Sequence, residues 1–94
     1  MLIGKPPGAT DVVEINPMYL FRWEEAQQAH VLLYPEGVVK LNDTAAEILQ
    51  TCDGVRTVDD VVAELSARFD ADVRDDVLEF LEVAHAQDWI RVKP

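Results

Sequence analysis

With 94 residues the chain has room for one hydrophobic core and is far too short for two. Hydrophobic residues make up 49% and charged residues 28%, ordinary globular proportions, and no apolar run approaches the roughly 20 residues that a membrane span needs. The formal net charge of -10 is concentrated in the second half, because residues 42–94 hold thirteen acids and five bases while residues 1–41 hold five and three. Such a field repels a phosphate backbone and an anionic membrane surface, and it favours a neutral or basic protein partner. The first residues lack both the basic start and the apolar stretch of a secretory signal, which points to a soluble cytoplasmic domain. A single cysteine, Cys52, excludes an internal disulfide framework.

Residues 1–16 contain Gly4, Pro6, Pro7 and Gly8 without apolar periodicity and read as a mobile tail, which leaves one domain over residues 17–94. The aromatics Tyr19, Phe21 and Trp23 alternate with Leu20, Arg22 and Glu24, the period of a half-buried strand. After the polar break at 25–28, His30-Val31-Leu32-Leu33-Tyr34 reads as a second strand. Pro35-Glu36-Gly37 has turn chemistry and leads directly into Val38-Val39-Lys40-Leu41, which predicts a hairpin with a short third strand. A simple meander would place that strand at an edge of the sheet. The sequence leaves the strand order open, and with it the backbone groups that face outward.

The apolar period then changes from two to about 3.6. Asn42, Asp43 and Thr44 are all good N-caps, and Thr44-Ala45-Ala46-Glu47 fits a capping box for a helix that ends at Asp53-Gly54. Thr57-Val58-Asp59-Asp60 is a second box, followed by the stripe Val58, Val61, Val62, Leu65 and Phe69. Asp72 can cap a third helix over residues 73–87, and Trp89, Ile90 and Val92 suggest a short extended end. The expected class is α+β: a three-stranded antiparallel sheet followed by three helices, with a winged helix-turn-helix outline. Around helix three the apolar side chains run from Val83 through Phe80, Val73, Ala84, Val77 and Leu81 to Leu78, an arc of roughly 220° at 100° per residue. That is about twice what a surface helix needs. Sandwiching inside the domain explains it, and so does a groove for a partner along the edge formed by Leu78, Leu81 and His85.

No catalytic constellation stands out. The only serine, Ser66, sits within helix two without the glycine-flanked turn of a hydrolase nucleophile, and Cys52 follows Ile48 on the apolar side of helix one. Neither His30 nor His85 has a histidine or cysteine at metal-ligand spacing. The acids Asp70, Asp72, Asp75 and Asp76 lack the glycine and glutamate of an EF-hand loop and suit helix capping. The alternative of a winged-helix nucleic-acid-binding protein conflicts with a third helix that opens on Arg74 amid Asp72, Asp75 and Asp76.

The runs Phe21-Arg22-Trp23-Glu24-Glu25-Ala26-Gln27, Val31-Leu32-Leu33-Tyr34-Pro35-Glu36-Gly37 and Val39-Lys40-Leu41-Asn42 resemble the PqqD family of pyrroloquinoline quinone (PQQ) biosynthesis. Asp53-Gly54, Asp76-Val77, Phe80-Leu81 and Trp89-Ile90 extend the resemblance, which covers residues 17–92. It implies a precursor-peptide recognition element without cofactors of its own. Such a peptide chaperone binds the ribosomal precursor peptide and presents it to a radical S-adenosylmethionine enzyme, which cross-links a glutamate and a tyrosine. In that family the peptide adds as a strand beside strand three and lies over helix three. The contacts implied here are Val38, Val39, Lys40 and Leu41 with Leu78, Leu81 and His85.

Overall fold

The computed structural model describes residues 5–94. In chain order the elements are β1 (Val12–Ile15), β2 (Leu20–Glu24), β3 (Ala29–Tyr34), β4 (Gly37–Lys40), α1 (Asp43–Thr51), β5 (Asp53–Thr57), α2 (Val58–Phe69), α3 (Arg74–Ala86) and β6 (Ile90–Val92). The chain is α+β with the three expected helices, but the described strands form two three-stranded antiparallel sheets instead of one, ordered β2-β3-β4 and β5-β1-β6. No helix among the described residues is long and apolar enough to cross a membrane.

The second sheet corrects two expectations. Residues 12–15, expected within a tail, are its central strand, and Val13 is wholly buried between the neighbours β5 and β6. Residues 1–4 of that expected tail lie outside the described residues. The stretch Asp53-Gly54-Val55-Arg56, read as a connection between helices, is most of β5. Its turn chemistry is real but local. The Asp53 carboxylate accepts the N–H groups of Val55 and Arg56 at 3.0 Å, which holds its pKa below the usual carboxylate range, first through the Arg56 bond and then through Val55. Gly54 takes φ of 80° and lets the chain pair with β1 immediately after α1 ends.

Helix starts follow the nearest competent side chain. Asn42, directly after the buried Leu41, caps α1 by accepting the Ala45 N–H at 2.7 Å, so the Thr44–Glu47 box is unused and Glu47 pairs with Arg68 of α2. The second box forms as expected: Thr57 accepts the Asp60 N–H while the Asp60 carboxylate accepts the Thr57 N–H, both at 3.1 Å. At α3 the N-cap is Val73, and Asp72 acts one step away by accepting the Arg74 N–H at 3.1 Å.

Leu32, Leu49, Val58, Val61, Leu65, Val77 and Ile90 bring one residue or more from each helix and from both sheets into a single core. Burying each such side chain contributes about 1.5–3 kcal/mol relative to exposure. Phe69 departs from the expected stripe. It lies in the last turn of α2, just before Asp70 reverses the chain with φ of 51°, and there the helix overruns the core and leaves Phe69 50% exposed.

A Cβ on Gly54 would approach the Glu14 carboxylate at 3.0 Å, and the positive φ disfavours any L side chain. Gly54→Ala is expected to lower stability by about 1–2 kcal/mol without changing the fold, measured by chemical denaturation with circular dichroism.

Candidate functional site

The β3–β4 hairpin closes through a two-residue turn, Pro35-Glu36, between the paired residues Tyr34 and Gly37. Beyond the last strand residue, the Leu41 N–H donates to the His30 carbonyl at 3.0 Å. Antiparallel pairs alternate between bonded and non-bonded. His30–Leu41 and Leu32–Val39 are therefore bonded pairs, and Val31–Lys40 and Leu33–Val38 are not. It follows that the N–H and C=O groups of Val38 and Lys40 point away from β3. Because β4 is the terminal strand of its sheet, those groups face an open edge among the described residues.

Side chains along the strand alternate as the pleat requires. Val39 packs against the core and Leu41 is buried, whereas Val38 is 58% exposed and Lys40 is exposed.

At its Leu41 end the strand borders a groove of about 290 Å³, walled by Lys40 and Leu41 on one side and by Asp76, Phe80, Val83 and Trp89 on the other. Ala45 and Ile48 of α1 also line it. Phe80 and Trp89 form a tilted aromatic pair with ring centroids 6.4 Å apart. Trp89 is fixed through its backbone. Its N–H donates to Ala84 at 2.9 Å, and its carbonyl accepts from Asn16 at 2.8 Å. Asn16 follows β1 directly, so the second sheet anchors one wall of a groove beside the first.

The sequence-predicted site residues divide into two groups. Val38, Val39, Lys40 and Leu41 lie on β4 or at its end. Leu78, Leu81 and His85 do not line the groove beside them: Leu81 is buried in the core, Leu78 is 37% exposed, and His85 is half-buried. At 100° per residue the groove-lining edge of α3, at Asp76, Phe80 and Val83, lies roughly 170° around the helix from the Leu78 and His85 edge. Of the wide apolar arc, Phe80 and Val83 at one end line the groove. Trp89 entered the sequence reading as part of a terminal extended segment and of the family resemblance, not as a site residue.

The remaining candidate side chains are engaged elsewhere. His30 stacks on Phe21, with centroids 5.2 Å apart and planes at 10°, and its Nε2 lies 3.3 Å from the Gln50 amide. Ser66 accepts the Val73 N–H at 3.3 Å and so ties α2 to the start of α3. Cys52 is 3% exposed, and its thiol donates to the Ile48 carbonyl at 3.3 Å.

A family model described as coenzyme PQQ synthesis protein D (PqqD) matches residues 29–90, the span from β3 to the start of β6 that contains the whole groove. A PqqA binding protein of Azotobacter vinelandii is 51% identical over 84 residues, covering 87% of this chain and 91% of its own length. A second, from Klebsiella pneumoniae, is 49% identical over 83 residues, covering 86% and 90%. Among solved structures, the solution structure of the PqqD truncation of Methylobacterium extorquens PqqCD is similar, with a TM-score of 0.73 at 28% identity, covering 90% of this chain and 94% of that one. That protein is described as a functional, stand-alone recognition element for ribosomally synthesized and post-translationally modified peptides.

Burial, and secondarily the adjacent Asp53 charge, pushes the Cys52 thiol up to about 12, so at neutral pH it is protonated and shielded. In native protein a thiol-alkylating reagent is expected to leave Cys52 unmodified over a period in which urea-unfolded protein reacts completely, as read by intact mass.

Proposed function

The chain belongs to the PqqD family, and from that premise we propose that it is a non-catalytic recognition element of PQQ biosynthesis that binds the ribosomal precursor peptide, PqqA, along β4. The observation that carries this reading is the open edge of β4 bordering an apolar groove. The N–H and C=O groups of Val38 and Lys40 offer an extended peptide two donors and two acceptors in strand register. Each bond made contributes about 0.5–1.5 kcal/mol net. Backbone pairing is indifferent to peptide sequence. Selection comes instead from peptide side chains that reach the Phe80, Val83 and Trp89 wall, where burying one apolar group adds about 1.5–3 kcal/mol.

In this reading the peptide is covered on one edge and by one wall and stays open on its other edge. There the partner, a radical S-adenosylmethionine enzyme, reaches the glutamate and tyrosine to be cross-linked. The redox cofactors belong to that enzyme, and this chain contributes position alone. The winged helix-turn-helix outline is proposed as shape without nucleic-acid function. Arg74, at the start of α3, donates to Asp59 at 3.2 Å and is followed directly by Asp75 and Asp76.

Proline at an outward position removes one peptide-facing N–H and leaves the ladder to β3 intact, whereas proline at Val39 removes a ladder donor. Lys40→Pro and Val38→Pro are each expected to weaken PqqA binding about two- to tenfold, measured by calorimetric titration, with the fold retained. Val39→Pro is expected to lower thermal stability more than either. Unchanged affinity in a folded Lys40→Pro protein would exclude strand addition at β4.

A further inference from the structure

A second cleft, of about 310 Å³, is lined by Trp23, His30 and Phe69 together with Asp43, Thr44 and Glu47 from the start of α1. It neighbours the groove beside β4, with Thr44 lining both. Thr44 and Phe69 also line an intervening cleft of about 220 Å³, and Thr44, Ile48 and Asp76 line both that cleft and the β4 groove. The three clefts thus adjoin through shared residues, Thr44 in the first turn of α1 lining all of them, and together form a discontinuous furrow with Lys40 and Trp89 at one end and Trp23 at the other.

Its far end has a distinct chemistry. Trp23 is 45% exposed and Phe69 50%, two large aromatics left half out of the core on the same cleft. Trp23 is held in place: its indole N–H donates to the Glu25 carboxylate at 2.8 Å, and its ring meets His30 edge-on at 5.2 Å. Asp43 makes no ion pair or side-chain hydrogen bond among the described residues. Glu47 shares the Arg68 guanidinium with Glu64, so one cation answers two carboxylates there. Asp43, in the first turn of α1, also offsets the positive end of the helix. Aromatic faces beside a carboxylate that no side-chain cation answers attract a cation and disfavour an anion.

We propose that this cleft receives a lysine or arginine side chain of the precursor peptide as the peptide continues past β4. The proposal rests on the peptide-binding reading and extends it, because it gives the bound peptide a charge register: basic at Trp23 and Asp43, and neutral or acidic at Lys40.

The two tryptophans, one at each end of the furrow, separate the possible outcomes. PqqA titrated into the full chain, with the two indole N–H resonances followed by NMR, is expected to shift both Trp89 and Trp23 with the same saturation curve. Asp43→Asn and Phe69→Leu are each expected to weaken binding about two- to fivefold while the Trp89 shift persists. Replacing the basic residues of the peptide singly by glutamine should reproduce that loss at one position in wild-type protein, and add little in Asp43→Asn. A shift confined to Trp89 would overturn the cationic subsite and leave strand addition standing. Movement of Trp23 with wild-type affinity in both variants would likewise overturn it. The absence of a saturable shift at either indole would remove the peptide-binding reading itself.

Discussion

The ladder between β3 and β4 is the constraint on which the rest of the site depends. Its register, Tyr34 with Gly37 through Val31 with Lys40, decides at once which backbone groups are spent internally and which face outward. The same register sends Val39 and Leu41 toward the helices and leaves Val38 and Lys40 outside, since the pleat allows no other alternation. A slip of one residue would bury Lys40, expose Leu41 and turn the outward donors inward. Leu41 is the pivot. Its N–H closes the ladder to His30, its side chain enters the core, and Asn42 immediately after it caps α1.

The second sheet serves the first through Asn16. Its backbone N–H holds the Trp89 carbonyl, and its side-chain amide donates to Asp88 at 2.9 Å, so the end of β1 clamps the turn between α3 and β6. Asp88 sits in that turn with φ of 67°, a conformation that costs free energy in an L residue and is stabilised here by the bonds around it. Surface ion pairs add little by comparison. Those of Arg22, Arg56, Arg74 and Arg91 are exposed and worth at most about 1 kcal/mol each.

What the sequence made legible follows from which signals are local. The hairpin was readable from Pro35-Glu36-Gly37 between two apolar runs, and α2 from a capping box ahead of a regular stripe. The second sheet was not, because β1 and β6 are only four and three residues long, and β5, Asp53-Gly54-Val55-Arg56-Thr57, opens with the turn residues Asp and Gly and has a single large apolar side chain. Their pairing is decided by partners distant in sequence, as between Ile15 and Ile90. For α3 the apolar arc revealed how much of the helix is covered but not how the helix is rotated against its neighbours. That rotation depends on Val77, Leu81 and Ala84 meeting the core, which leaves Leu78 and Val83, at the two ends of the arc, both partly exposed, with Val83 on the groove beside β4. Phe69 shows the same limit at a helix end, where the stripe continues and the core does not.

An open strand edge is selective only if it resists the commonest competitor, another copy of itself. Three features of this chain oppose such pairing. The edge is four residues long, so two copies in register could form few bonds. Lys40 places a charge at its end, opposite the corresponding Lys40 in any symmetric parallel pairing. Each copy also carries a net charge of -10, so close approach of two copies brings like fields together. The acidic helices therefore act on the edge at a distance: without touching it, they disfavour the approach of a second, equally acidic copy.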